Sequence, residues 1–281
     1  MSNLVDQAAG RARHQNSAPA TRVPILMYHQ LAAQPRADRR LAVDPKSFAD
    51  QLGYLHRCGY KTVTTRELAQ ALRTGDRQLP DKPVVLTFDD GYADFHEVAL
   101  PLLARYGFTG TVFVTTGWVA GDAGQRRRQQ DDMLSWRQIE EVAAAGVEIG
   151  AHSVHHPQLD QLGRDRLEHE LGAAKGALED RLGTAVPGLA YPFGYSNRLV
   201  RETAAAAGYE YACAVGNRLA DSSADPFALP RATIARSTRL ASFAQIVAAE
   251  RLPIEFVGYR TLTLGWSAAR CTRSAMRKLA R

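Results

Sequence analysis

The chain has 281 residues, enough for one large α/β domain or two small ones with an ample core. Its composition is that of an ordinary soluble protein, and its three cysteines, Cys58, Cys213 and Cys271, are too few and too far apart for a disulfide framework or a zinc knuckle. The net charge of +6 belongs to the ends, with +4 on residues 1–40, +6 on 251–281 and −4 on 41–250. No basic face interleaved with aromatics emerges, which argues against a nucleic-acid partner.

Residues 1–22 are polar, lack the apolar run of a signal peptide and read as a disordered leader; a cytoplasmic location is expected. No stretch approaches the ~18 apolar residues of a spanning helix. Strand-like runs then alternate with helical patterns. The strands are Pro24–Tyr28, Lys61–Thr64, Pro83–Phe88, Thr111–Thr115, Val147–Gly150, Leu189–Tyr191, Tyr211–Val215 and Ala228–Thr233. Between them the spacing predicts helices near 46–58, 65–74, 93–106, 135–145, 164–182, 197–207 and 241–250. Ser135 with Gln138 is a capping-box signature, and Gly107, Gly146, Gly183 and Gly208 stand at helix C-termini. The loop 117–133, longer than most strand-to-helix connections, reads either as a lid or substrate-facing insertion or as a plain surface loop. Residues 251–281 form a basic extension, whose segment 260–281 carries Leu262, Leu264, Trp266 and Met276 among its charges and suits peripheral contact with an anionic membrane, at its inner face.

Seven or eight βα repeats between 23 and 250 predict a single α/β domain, a distorted parallel (β/α)7-type barrel. A doubly wound sheet would call for a glycine fingerprint after the first strand, where Tyr28-His29-Gln30-Leu31 stands instead. In a barrel the reactive residues gather at strand C-termini, and His29, Asp89, Asp90, His152 and Tyr191 all occupy such ends.

Two adjacent carboxylates, Asp89 and Asp90, close the apolar run 83–88, which is unfavourable unless a cation or a proton compensates them. His152 and His156 follow a second apolar strand, four residues apart with Pro157 next. With Asp90 they make a set of two histidines and one carboxylate that leaves positions open on one divalent metal ion, zinc or alternatively Co, Ni or Fe. His155 could converge as well, in second place to His156. Asp89, unable to share Asp90's geometry, is then free to act as general base on a metal-activated water.

The stretch Thr87-Phe88-Asp89-Asp90-Gly91 and the stretch His152-Ser153-Val154-His155-His156-Pro157 resemble the first two motifs of the polysaccharide deacetylases of the NodB-homology kind, carbohydrate esterase family 4. Leu134-Ser135-Trp136 and 146–150 also read like this family, and the resemblance covers roughly 24–236. It implies Asp89 as base, Asp90, His152 and His156 as metal ligands, and an N-acetylated sugar or polysaccharide, or its precursor, as substrate. It also places Tyr191, Pro192 and Trp136 as candidate substrate contacts. The third motif departs: Ala190-Tyr191-Pro192-Phe193-Gly194 has Ala190 where the family commonly has an arginine that orients the base. The Phe193 N–H can still serve as oxyanion donor, and Arg231 is the candidate to replace the missing arginine. No histidine follows His169 to supply the late general acid, so His29, at the end of the first strand, is expected to take that place as in permuted members. Three rivals stand beside this reading. They are hydrolysis of a small amide or ureide, a carbohydrate-binding protein that has lost catalysis, and, least favoured, a non-haem iron oxygenase using the same ligand set.

Overall fold

The computed structural model describes residues 22–35, 39–75, 79–121 and 132–248; the expected leader, most of the 117–133 loop and the basic extension lie outside the described residues. Eight strands alternate with helices in chain order: β1 (Ile25–Tyr28), α1 (Pro45–Arg57), β2 (Lys61–Thr62), α2 (Thr65–Thr74), β3 (Pro83–Phe88), α3 (Leu100–Tyr106), β4 (Thr111–Val114), α4 (Trp136–Ala144), β5 (Glu148–Ala151), α5 (Arg164–Leu182), β6 (Gly188–Ala190), α6 (Arg198–Ala206), β7 (Tyr211–Val215), β8 (Leu229–Thr233) and α7 (Leu240–Val247). All the strand pairings are parallel. The order β1-β8-β7-β6-β5-β4-β3 is closed into a ring by β1 pairing with β3, giving a seven-stranded distorted barrel.

β2 is a stub at its base. It pairs with Pro83 and Val84, while β4 takes the same edge of β3 further along, at Thr87 and Phe88. The expected strand 61–64 stops after two residues because Thr64 turns out to be the N-cap of α2, in a reciprocal capping box with Glu67. The predicted helix 93–106 also has a different start. It opens with a π-helical turn, Phe95–Ala99, one residue before Pro101, which has no N–H to donate to the carbonyl four residues back.

Strand parity divides the apolar residues into two cores. Leu26, Tyr28, Leu86, Phe88, Val112, Val114, Ile149, Leu189 and Ala232 pack outward under the helices. Ile25, Val85, Phe113, Tyr211, Cys213 and Leu229 fill the barrel interior. Side chains two residues apart share a face, so the interior row of β1 runs 25, 27, 29, that of β3 85, 87, 89, that of β5 148, 150, 152 and that of β8 229, 231. At its lower end the interior is closed by polar groups rather than carbon, for the Glu148 carboxylate accepts hydrogen bonds from Tyr211 Oη, Thr111 Oγ1 and Arg66 N. At its upper end the same rows deliver His29, Asp89, His152 and Arg231. Cys58 and Cys213 are free thiols; Cys271 lies outside the described residues.

Candidate active site

Asp90 and His152 are each held just beyond a strand end, and both are buried. The ladder between β5 and β6 runs to one residue pair, and His152 bridges these strands beyond it, its Nδ1 2.7 Å from Ala190 O. A carbonyl only accepts, so Nδ1 carries the proton and Nε2 keeps its lone pair. Burial lowers the pKa of this ring, against the opposing pull of Asp89 and Asp90. Its Nε2 lies 3.5 Å from Asp90 Oδ1, and His156 Nε2 lies 3.3 Å from the same oxygen. The donor atoms of Asp90, His152 and His156 all fall within 4.8 Å of one another. Bonds of ~2.0–2.1 Å to one tetrahedral cation put neighbouring ligand atoms about 3.4 Å apart, so these two edges fit a single divalent ion. His155 turns elsewhere: its Nδ1 lies 2.8 Å from Glu170 Oε1 and its side chain is exposed.

Beside this triad is a buried ion pair. Arg231, fully buried, holds Asp89 in a two-pronged grip, Nη1 to Oδ1 at 2.6 Å and Nη2 to Oδ2 at 2.7 Å. Its remaining donors go to Thr87 Oγ1 and Ala214 O, both at 3.2 Å, and its guanidinium lies over the Phe113 ring, 5.6 Å from the centroid. Burial alone would raise the Asp89 pKa, but the positive charge of Arg231, with contributions from His152 and His29, pulls it down to about 2. The carboxylate is thus ionised, fixed in orientation and next in sequence to a metal ligand. Arg231, from β8, fixes the orientation of this carboxylate, while the strand that ends at Ala190 contributes no arginine.

The histidine loop is anchored from below by a residue that sequence reading missed. Glu170 of α5, 3 % exposed, accepts Val154 N–H and His155 N–H with Oε2 while Oε1 meets the His155 ring. Gly117 approaches the same loop so closely that a Cβ there would stand 2.5 Å from Val154 O. The backbone in this region is costly. Asp90, Ser153, His156 and Phe193, four of the six non-glycine residues with positive φ among the described residues, all border the site. Replacing Glu170 by alanine is expected to release the strained loop and weaken metal binding about 10–100-fold, the scale for outer partners of ligating residues; titration with zinc checks it, and unchanged affinity would reduce Glu170 to packing.

His29 ends the inward row of β1. It is close enough to lower the Asp89 pKa, and its buried Nδ1 has no hydrogen-bond partner among the described residues. Phe193 lies in the left-handed region at φ 60°, which turns its ring out to 49 % exposure. The turn's hydrogen bonds run from Gly194 N and Tyr195 N to Tyr191 O and Pro192 O, so the Phe193 N–H takes no part in them. The expected substrate contacts require correction. Tyr191 is wholly buried, with its hydroxyl donating to Phe227 O, and Pro192 is buried too. Trp136 is the first residue of α4, partly buried against the outer core. The aromatic surface at the triad is instead a row, Trp118 and Phe193 flanking His156 at 5.0 and 4.7 Å, with Tyr195 stacked on Phe193 at 6.0 Å. Of the 117–133 loop, 122–131 lie outside the described residues.

Two histidines and a carboxylate converge at the C-terminal rim of a parallel barrel, with a second, ionised carboxylate clamped beside them, an arrangement that can hold a divalent ion next to a base, as metal-assisted hydrolysis requires. Residues 76–212 match the polysaccharide deacetylase family. YxkH of Bacillus subtilis, which carries the polysaccharide deacetylase name, is 30% identical over 189 residues, 67% of this chain and 63% of YxkH. The poly-beta-1,6-N-acetyl-D-glucosamine N-deacetylase of Escherichia coli K12 is 28% identical over 135 residues, 46% of this chain and 20% of the relative. The chain therefore spans less than two thirds of these curated relatives. Among solved structures, the Streptococcus pyogenes deacetylase PplD in complex with acetate superposes with a TM-score of 0.73 at 28% identity, covering 82% of this chain and 99% of that one. IcaB from Ammonifex degensii gives 0.69 at 27% identity, covering 81% and 96%. Over residues 76–212 the chain is thus similar to polysaccharide deacetylases, and its barrel superposes on solved members of that group.

Proposed function

We propose that this protein removes N-acetyl groups from an N-acetylated saccharide, with zinc as the divalent ion. The observation that carries this reading is the buried two-pronged Arg231–Asp89 pair set against the Asp90, His152 and His156 triad. A protein that only bound sugar would have no use for a carboxylate held ionised beside a metal site. An oxygenase is disfavoured because the interior next to the triad is filled by that acid–base pair. The aromatic row of Trp118, Phe193 and Tyr195, with Phe193 half exposed, offers apolar faces on which a sugar ring can stack, which supports a saccharide.

In this reading the bound ion supplies Lewis acidity to the attacking water and to the acetamide carbonyl. Asp89 takes a proton from the water as its oxygen bonds to the carbonyl carbon, and Arg231 keeps the carboxylate aimed and ionised. The Phe193 N–H donates to the oxygen on which charge develops. His29, protonated, delivers its proton to the nitrogen as the C–N bond breaks, so that acetate and a free amine leave. The unpartnered Nδ1 of His29 supports this assignment.

Acetate release from N-acetylhexosamine oligomers and small amides, measured with zinc, cobalt or nickel supplied, tests the proposal; release from the amides alone would sink the saccharide assignment. His29→Gln is expected to lower kcat by about 10²–10⁴, the worth of a general acid. Wild-type turnover by that variant would remove His29 from the mechanism.

A further inference from the structure

His29 stands one residue beyond the ladder that ends β1. The last pair of that ladder is Tyr28 with Phe88, and Asp89 N–H donates to Tyr28 O at 3.0 Å. Two residues past His29, Leu31 N–H donates at 3.0 Å to Asp94 Oδ2, a side chain 63 residues away in sequence. His29 is thus bracketed by two hydrogen bonds. Both partners belong to the stretch 89–94, which also carries the base Asp89 and the ligand Asp90.

That stretch is a firm support. Asp90 O accepts Thr115 N–H at 3.3 Å, Gly91 O accepts Leu134 N–H at 2.9 Å, and Ala93 N–H donates to Asp132 O at 2.9 Å. The other end is firm as well, since the Leu31 side chain is buried in the outer core and Val43 N–H donates to Gln30 O at 2.9 Å. Asp94 forgoes the use its position invites. It stands directly before the helical turn Phe95–Ala99, where an aspartate is favoured because its carboxylate can accept a backbone N–H of the first turn, yet it makes no such bond. Its Oδ2 goes to the β1 loop instead, in a charge-assisted hydrogen bond of the stronger kind. His29, held in this way, lies close enough to Asp89 to help keep that carboxylate ionised.

We infer that Asp94 is a positioning residue for the proton donor: through Leu31 N–H it sets the spacing of His29 from Asp89 and from the triad of Asp90, His152 and His156. The inference rests on the reading of the site as an amide hydrolase with His29 as its acid, and it adds the group that holds the acid in place. In the tetrahedral intermediate the oxygen of the attacking water and the departing nitrogen are bonded to one carbon. The group that takes the first proton and the group that gives the second must therefore keep a fixed separation. Asp94 maintains it from outside, without touching the reacting atoms.

The test follows zinc-loaded wild type, Asp94→Ala, Asp94→Asn, His29→Gln and the double variant His29→Gln/Asp94→Ala on two substrates. One is the N-acetylhexosamine oligomer or small amide that the wild type turns over; the other is p-nitrophenyl acetate, whose phenolate leaves without a proton. Asp94→Ala is expected to lose about 10–100-fold in kcat on the amide, the scale of a misplacement near 1 Å, with KM and zinc affinity within about twofold. Its loss on the ester should be smaller by about tenfold or more, because only the amine needs the acid. Asp94→Asn keeps an oxygen for Leu31 N–H and is expected to stay within about threefold of wild type on both. In the double variant the loss of Asp94 should cost less than about twofold beyond His29→Gln alone, since no acid is left to position. Should the alanine variant fail to bind zinc, Asp94→Glu, which keeps the charge and shifts the acceptor by a methylene, replaces it in every comparison. Equal losses on amide and ester, additive losses in the double variant, or full activity without the Asp94 acceptor would overturn the inference and leave the hydrolase reading standing. A wild type that releases acetate from no amide would remove that reading and the inference with it.

Discussion

Asp89→Asn is expected to lower kcat/KM for acetate release by about 10²–10⁴ while metal binding persists, because it removes the proton acceptor and leaves Asp90, His152 and His156 in place. The same substitution carries a structural penalty. Arg231 is 0 % exposed, and the carboxylate that neutralises it is gone in the variant. Breaking one side of a buried pair costs about 3–5 kcal/mol, largely because the surviving charge is stranded. The variant should therefore melt well below the wild type, and activity must be assayed where it is still folded. Adding Arg231→Met removes the stranded charge, so the double variant is expected to regain much of the stability and none of the activity. That split separates the two roles of the pair. Full activity in the single variant would dismiss Asp89 as the base; a double variant as unstable as the single one would show that losing the guanidinium's packing over Phe113 costs as much as the stranded charge.

The fold and the triad were legible in the sequence because both depend on short-range pattern. Apolar runs alternating with helical patterns located every strand among the described residues within a residue or two, and the pairing of Asp89-Asp90 with His152 and His156 at strand ends needed no tertiary knowledge. Arg231 was also within reach, since it lies in phase with Leu229 on the inward row of β8. What sequence could not supply was which way side chains turn after the strands stop. Tyr191 is one residue past β6, yet its hydroxyl is drawn back to Phe227 O and its ring joins the core. Phe193, two residues on, is thrown outward by a left-handed backbone that no propensity would assign to phenylalanine. Trp118 lay unremarked in a loop for the same reason. Glu170 did leave a signal: it falls in phase with Leu167, Leu171, Ala174 and Leu178 on the buried stripe of α5, where a carboxylate without a partner would be untenable.

Removing the metal ligands should have an effect at least as large as removing the base, and it discriminates among the histidines. His152→Ala and His156→Ala are each expected to abolish stoichiometric zinc binding and acetate release together, whereas His155→Ala should retain the ion, since His155 faces Glu170 and solvent. Chelation of the wild type should do the same reversibly. Asp90 is buried next to two imidazoles in a backbone conformation that is strained at Asp90 and His156, so an ion bound there would stabilise this geometry. An ion present at about 100 times its dissociation constant adds about 2.7 kcal/mol to stability, which should appear as a rise in Tm on zinc addition for wild type and His155→Ala but not for His152→Ala or His156→Ala. If His155→Ala lost the metal and His156→Ala kept it, the ligand set read from the structure would be wrong. If all three kept it, the ion would be bound elsewhere and the hydrolytic reading would lose its Lewis acid.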